Sequence, residues 1–214
     1  MPQRIVVAID GPSGSGKSSV SRAIAQRFGM QYLDTGAMYR ALTWWRMQGR
    51  SDRCPLAIST NPEIPEVIVD GTDITEEIRG AAVTAEVSNV ASDPAVRAEA
   101  VERQRRIIAD AREGIVVEGR DITSVVAPDA DVRIFLTADL SAREARRAAE
   151  FAHDATQADA VAAAVAARDA IDSTRTHSPL RKVDGVTEID ATHMTLDEVI
   201  AAVAGLVDTA KEDV

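Results

Sequence analysis

The stretch that decides the fold is Arg4–Ser18, RIVVAIDGPSGSGKS. Arg4 to Ile9 is continuous, apolar and rich in β-branched residues, and Asp10-Gly11 ends it; this reads as a strand buried on both faces. Gly11-Pro12-Ser13-Gly14-Ser15-Gly16-Lys17-Ser18 then fits the pattern G-x-x-x-x-G-K-[ST] at every fixed position. Lys17 to Phe28 reads as a helix. Strand, glycine loop and helix in that order make an anion cradle. Glycines let the backbone curl until successive N–H groups face one point, and the helix N-terminus adds positive potential there. Lys17 is placed to reach the β- and γ-phosphates of a nucleotide, and the Ser18 hydroxyl to ligate Mg²⁺. A merely flexible glycine-serine turn would need neither the strand nor the helix, the lysine or the serine.

Outward from this loop the chain keeps an alternating rhythm. Gln31 to Leu33, Gly114 to Glu118, Arg133 to Leu136 and Val186 to Asp190 read as further strands. Ala37 to Gln48, Thr75 to Ala91, Pro94 to Ala111, Ser141 to Ala152, Ala158 to Ile171 and Leu196 to Val207 read as helices. Pro94 suits a first-turn position, and Ser141 with Glu144 three residues on suits an N-cap. Strands apolar on both faces, alternating with helices, predict an α/β fold with a parallel sheet covered on both sides. One segment breaks the rhythm. Gly49 to Pro65 is polar and proline-bearing and reads as loop, and Glu66 to Ile74 reads as a hairpin turning at Asp70-Gly71. Residues 49–88 are therefore expected to be an insert on a single domain spanning 1–214.

Composition excludes several classes. Of 214 residues, 45% are hydrophobic and 27% charged, the balance of a globular domain that folds on its own core. Cys54 is the only cysteine, so no disulfide forms within the chain, which fits a reducing, cytoplasmic compartment. MPQR runs directly into an apolar stretch too short for a signal core or a membrane span. The formal net charge of −10 opposes binding to nucleic acid or to anionic membranes. It does not oppose small anions, because converging arginines outweigh a distant acidic surface that salt screens.

Many phosphate-loop proteins are not kinases. Here no Asn-Lys-x-Asp or Thr-Lys-x-Asp reads guanine, and no apolar run ends in an aspartate followed by a catalytic glutamate; IVV ends in Glu118-Gly119. That disfavours GTPase switches and motor ATPases and leaves small one-substrate kinases. Phosphoryl transfer to a monophosphate needs little base catalysis. Its barrier lies in aligning two polyanions and stabilising the charge on the transferring group. Such a site is rich in arginine and poor in bases, and His153, His177 and His193 have no metal-like spacing. Arg40 sits in DTGAMYR. Arg120 follows a strand end in Gly-Arg-Asp, where open α/β sheets bind ligands, and reads as functional. Arg143, Arg146 and Arg147 share one helix face, which is either a phosphate-binding face or a solvated one paired with Glu144 and Glu150. Arg168 and Arg175 flank Asp172, and Arg168–Asp172 is also a surface-type i, i+4 pair.

Together GPSGSGKSS, LDTGAMYR, VEGRD followed by VVAPDADVRIFL, and RDAIDSTR followed by SPL resemble the bacterial cytidylate kinases, nucleoside monophosphate kinases of the P-loop class. The similarity runs from Ile5 to about Asp190. It implies a five-stranded parallel sheet flanked by helices, an acceptor-binding insert over about 49–88 and a mobile lid over about 146–160. It implies ATP contacts along Gly11, Pro12, Ser13, Gly14, Ser15, Gly16, Lys17, Ser18 and Ser19, with Mg²⁺ on Ser18. Arg40 and Arg120 would clamp the acceptor phosphate, with Thr35 beside them. Ser88, Arg97 and Asp121 would read cytosine, whose amino donor and two acceptors suit a carboxylate, a hydroxyl and a guanidinium. Arg168 and Asp172 would hold the ribose. Lys17, Arg120, Arg143, Arg147 and Arg175 would act on the phosphates. The resemblance also implies a monomer that phosphorylates CMP or dCMP with Mg-ATP by direct in-line transfer. One departure stands out: Thr123 occupies a place where the family usually has glycine. The alternatives are a related kinase for UMP, AMP or a metabolite such as shikimate, and a non-catalytic nucleotide sensor.

Overall fold

The computed structural model describes residues 4–149 and 180–212. Arg168, Asp172, Arg175, the helix expected over Ala158 to Ile171 and residues 150–160 of the expected lid lie outside the described residues.

Five parallel strands form the central sheet: β1 (Val6–Asp10), β2 (Gln31–Asp34), β6 (Ile115–Gly119), β7 (Val132–Thr137) and β8 (Thr187–Asp190). Their order across the sheet is β2-β6-β1-β7-β8. β1 is central, with Asp10 beside Gly119 of β6 and Phe135 of β7. All the strand ends that carry candidate site residues therefore open on one edge, the carboxyl edge, on either side of the point where the strand order reverses.

The strands are apolar on both faces because both faces are covered. Side chains alternate across a strand, so Val7, Ile9, Val116, Ile134 and Leu136 pack on one side against Val20 and Ile24 of helix α1 (Lys17–Phe28) and Val203 and Val207 of helix α6 (Leu196–Glu212). On the other side Ala8, Leu33, Ile115 and Val117 pack against Met38, Leu42 and Trp45 of α2 (Thr35–Met47) and Ala100 and Ile108 of α4 (Pro94–Asp110). Burying side chains of this size stabilises the fold by roughly 1.5–3 kcal/mol each before entropy is counted. Helix boundaries follow their caps. Asp34 caps α2 by accepting from the Ala37 amide at 2.9 Å, so the helix starts at Thr35, two residues earlier than its apolar pattern suggests. Asp93 caps α4 ahead of Pro94. Ser141 is not the N-cap of α5 (Leu140–Ala149); the Asp139 carbonyl already accepts from the Arg143 amide, and the Asp139 amide is tied to the Thr192 hydroxyl.

The 49–88 segment holds one more strand than its sequence suggests. β3 (Leu56–Ile58), β4 (Val67–Val69) and β5 (Thr72–Asp73) form a small antiparallel sheet, followed by a 3₁₀ turn (Glu77–Arg79) and α3 (Ala81–Val90). The hairpin turns at Asp70-Gly71, as expected, both residues having positive φ. β3 is missed because it is three residues long and bounded by Pro55. Val67, Val69, Ile74, Ile78 and Val87 join the apolar cluster of α2 and α4, which sets this segment beside the carboxyl edge of β2.

Candidate active site

The glycine loop joins Asp10 to α1 as expected. The first residue of the loop packs against backbone: a Cβ on Gly11 would lie 2.0 Å from the Leu136 carbonyl oxygen, so no side chain fits there. Gly16, with φ of 95°, supplies the left-handed step into α1, and no side chain caps that helix start. The N-terminus of such a helix carries positive potential that favours an anion. Lys17 is 6% exposed, and its ammonium donates to the Pro12 carbonyl at 2.8 Å, across the loop it is expected to serve.

Two side chains clasp the loop from outside. Arg120 donates through Nη1 to the Gly11 carbonyl at 2.9 Å. Arg143, expected to act on the phosphates, is buried; its Nε donates to Ala138 O at 2.9 Å and its Nη1 to Ser13 O at 3.1 Å. The three arginines of α5 do not act as one face. Arg146 turns away to the Ala191 carbonyl, 2.5 Å off, while Arg147 lies in electrostatic range of Arg40.

Arg40 is the centre of a guanidinium cluster. Its Nη1 donates to the Ile78 carbonyl at 2.9 Å and the Thr84 hydroxyl at 2.8 Å. Burial holds its pKa below the usual arginine value; Asp34 opposes this, and Arg147, Arg79 and Arg120 add to it. Arg79, Arg120 and Arg147 thus lie within electrostatic range of Arg40, and cations grouped in this way attract a polyanion. Arg79 was not singled out in the sequence. It ends the 3₁₀ turn of the 49–88 segment, and no spacing in the sequence ties it to Arg40.

Glu118 is the second residue that pattern reading passed over. It is 4% exposed, at the carboxyl end of β6; it accepts from the Tyr32 hydroxyl at 2.5 Å and is hydrogen-bonded by Ser18. Burial raises its pKa first, then the charge of Asp34; Lys17, close by, acts the other way. An acidic residue ending the apolar run IVVE was the available signal. Ser18, Glu118 and Asp34 form a hard-oxygen donor set, which fits Mg²⁺ completed by nucleotide phosphates and water. A raised pKa means that the ionised carboxylate costs folding stability at neutral pH. That cost disappears as the pH falls through the folded-state pKa towards the ordinary carboxylate range. Glu118→Gln is therefore expected to raise the melting temperature of the nucleotide-free protein at pH 7.5, with the gain shrinking as the pH is lowered. The same change should lower kcat about 10–100-fold. Calorimetry across pH, with assays alongside, checks both; a lower melting temperature at pH 7.5 contradicts the sign.

Two of the three expected base-reading residues, Arg97 and Asp121, are brought together. Asp121, at the first turn after β6, pairs with Arg97 of α4, and both are buried. Arg97 also lies over the Tyr39 ring, 5.8 Å from its centroid. Ser88 is buried on α3. The Thr35 hydroxyl donates to the Glu118 carbonyl at 2.6 Å, joining β2 to β6 under the cluster.

The sequence profile of the cytidylate kinase family matches residues 7–209. The chain belongs to the cytidylate kinase family. It is accordingly a kinase, a phosphotransferase acting on CMP and dCMP. It is 46% identical to the cytidylate kinase of Streptomyces avermitilis, over 95% of this chain and 93% of that one. It is 48% identical to the cytidylate kinase of Rhodococcus jostii, over 92% of each chain. Among solved structures, an uncharacterised protein from Eubacterium ventriosum shares the fold, with a TM-score of 0.56 at 14% identity over 96% of this chain and 99% of that one. Among the described residues no helix is long and apolar enough to cross a membrane.

Proposed function

We propose that this cytidylate kinase family member carries the γ-phosphoryl group of Mg-ATP directly to the phosphate of CMP or dCMP, in line and without a phosphoenzyme. The observation that supports this most is that Arg120, held on the Gly11 carbonyl of the glycine loop, lies with Arg79 and Arg147 within electrostatic range of Arg40. Two polyanions can be aligned only where cations face both of them.

In this reading the loop amides from Gly11 to Ser19 cradle the ATP phosphates. Lys17 leaves the Pro12 carbonyl to meet the β- and γ-phosphates. Ser18, with Glu118 and Asp34, would hold Mg²⁺, which supplies charge neutralisation on the donor phosphates. Arg40, Arg79 and Arg120 hold the acceptor phosphate, with Thr35 fixing the strand ends beneath them. Arg143 shapes the loop from outside, and Arg147 faces the transferring group. Asp121 accepts from the cytosine amino group while Arg97 and Ser88 serve its acceptor edge. Uracil, with a carbonyl in place of the amino group, would face a carboxylate. By motif match Arg168 and Asp172 take the ribose and Arg175 the phosphates. Closure of the 146–160 segment over the site would exclude water that competes for the phosphoryl group. The net charge of −10 opposes contact with membranes or nucleic acid, and the enzyme is expected to act as a cytoplasmic monomer of one domain, with 49–88 on the acceptor side.

A coupled assay at saturating Mg-ATP tests this with CMP, dCMP, UMP, AMP and shikimate. CMP and dCMP are expected to exceed UMP about 10²-fold in kcat/KM. An enzyme indifferent to the base, or one that binds ATP without acceptor-dependent turnover, would overturn the reading.

A further inference from the structure

Asp10 is a buried carboxylate with no part in the chemistry above. It is 1% exposed, at the end of β1, directly before the glycine loop. Its Oδ1 accepts from the Ile122 amide at 2.8 Å; its Oδ2 accepts from the Thr123 amide at 2.8 Å and from the Thr123 hydroxyl at 2.7 Å. Thr123 is also 1% exposed. Residues 122–126 form a π-helical turn, a rare conformation that needs local support, and the Asp121 carbonyl receives the Val125 and Val126 amides within it. Residues 10 and 11 are thus tied twice to residues 120–123: through the Asp10 carboxylate, and through Arg120 to Gly11 O. Burial pushes the Asp10 carboxyl above its usual range, so the fold keeps this group at a cost that its hydrogen bonds offset.

We propose that Asp10 and Thr123 are a positioning pair that sets Arg120 and Asp121 against the phosphate loop, and so determines how well the acceptor nucleotide is held and its base distinguished. The proposal rests on the acceptor reading above. Neither residue touches substrate in this account; both act through the turn that carries Arg120 and Asp121. The Thr123 hydroxyl is the part special to this side chain, because a backbone amide is present whatever residue stands there.

Thr123→Val removes that hydroxyl and keeps the shape, leaving Oδ2 with one donor fewer. The expected result is a rise in KM for CMP of about tenfold and a similar fall in the CMP-over-UMP ratio of kcat/KM, with KM for ATP changed less than about twofold. Thr123→Ser, which keeps the hydroxyl, should restore both. A purely structural role would lower the melting temperature and leave the CMP-over-UMP ratio unmoved. The proposal falls if folded Thr123→Val keeps the parental KM for CMP and the parental ratio, or if serine is as defective as valine. Should the valine variant not fold, Thr123→Ala against Thr123→Ser gives the same comparison without added bulk. A parent enzyme that shows no CMP preference would overturn the acceptor reading first, before any variant is compared.

Discussion

Lys17→Met should lower kcat by about 10³-fold or more while the protein remains folded. Methionine keeps the length and the apolar stem of lysine, so the packing of α1 against the sheet loses little. What disappears is the only lysine charge within the glycine loop, in a place that is 6% exposed. A charge acts far more strongly on a developing anion in such a poorly solvated site than in water. The ammonium's hydrogen bond to Pro12 goes to an uncharged carbonyl, and phosphate oxygens, which carry negative charge, are stronger acceptors for it. Arg143 cannot take its place, because its guanidinium holds Ala138 and Ser13 carbonyls on the outer side of the loop. KM for ATP should rise less than kcat falls, since loop amides and the helix start carry much of the ground-state binding. Steady-state rates with purified, correctly melting protein decide it. A variant within tenfold of the parent kcat would remove Lys17 from the chemistry.

The parts of this site that were legible in the sequence are those built by neighbours in the chain. The glycine loop is read because strand, loop and helix follow one another within 25 residues, and each residue type has a local reason to be there. Arg120 and Asp121 were legible as a polar pair at a strand end. The strand alternation, apolar on both faces, was enough for a parallel sheet with helices on either side. What stayed hidden depends on contacts across the fold. Arg79 joins Arg40 only because the 49–88 segment packs its 3₁₀ turn over α2. Glu118 fails the usual aspartate pattern for that strand end, and its pairing with Tyr32 and Ser18 comes from β2 and α1 lying beside β6. Spacing put Arg143, Arg146 and Arg147 together, but the packing of α5 between the glycine loop and the end of β8 sends them three ways. In the sequence Thr123 stands out only as a departure from the glycine usual in the family. Its hydroxyl instead finds Asp10, a residue 113 positions away that no sequence pattern links to it.

Arg97→Met is the change expected to cost the most stability. Arg97 and Asp121 are buried together, and the guanidinium also serves the Ala91 carbonyl and lies over Tyr39. Removing one partner strands a carboxylate away from water, at a cost of about 3–5 kcal/mol. For a chain of this size each kcal/mol is worth roughly 2–4 °C, so melting should fall by about 6–20 °C. The double change Arg97→Met with Asp121→Leu removes both charges and should recover most of that loss, because a well-packed apolar pair often matches or exceeds a buried ion pair. The recovered protein should nevertheless fail to prefer CMP over UMP. That separation would show why the pair is kept: an apolar pair would serve the core as well, whereas only a carboxylate steadied by a guanidinium can meet a cytosine amino group at this depth. Thermal melting and the acceptor panel, run on the single and double variants, settle the matter. Either a single variant that melts within about 2 °C of the parent, or a double variant that still selects CMP, would be incompatible with it.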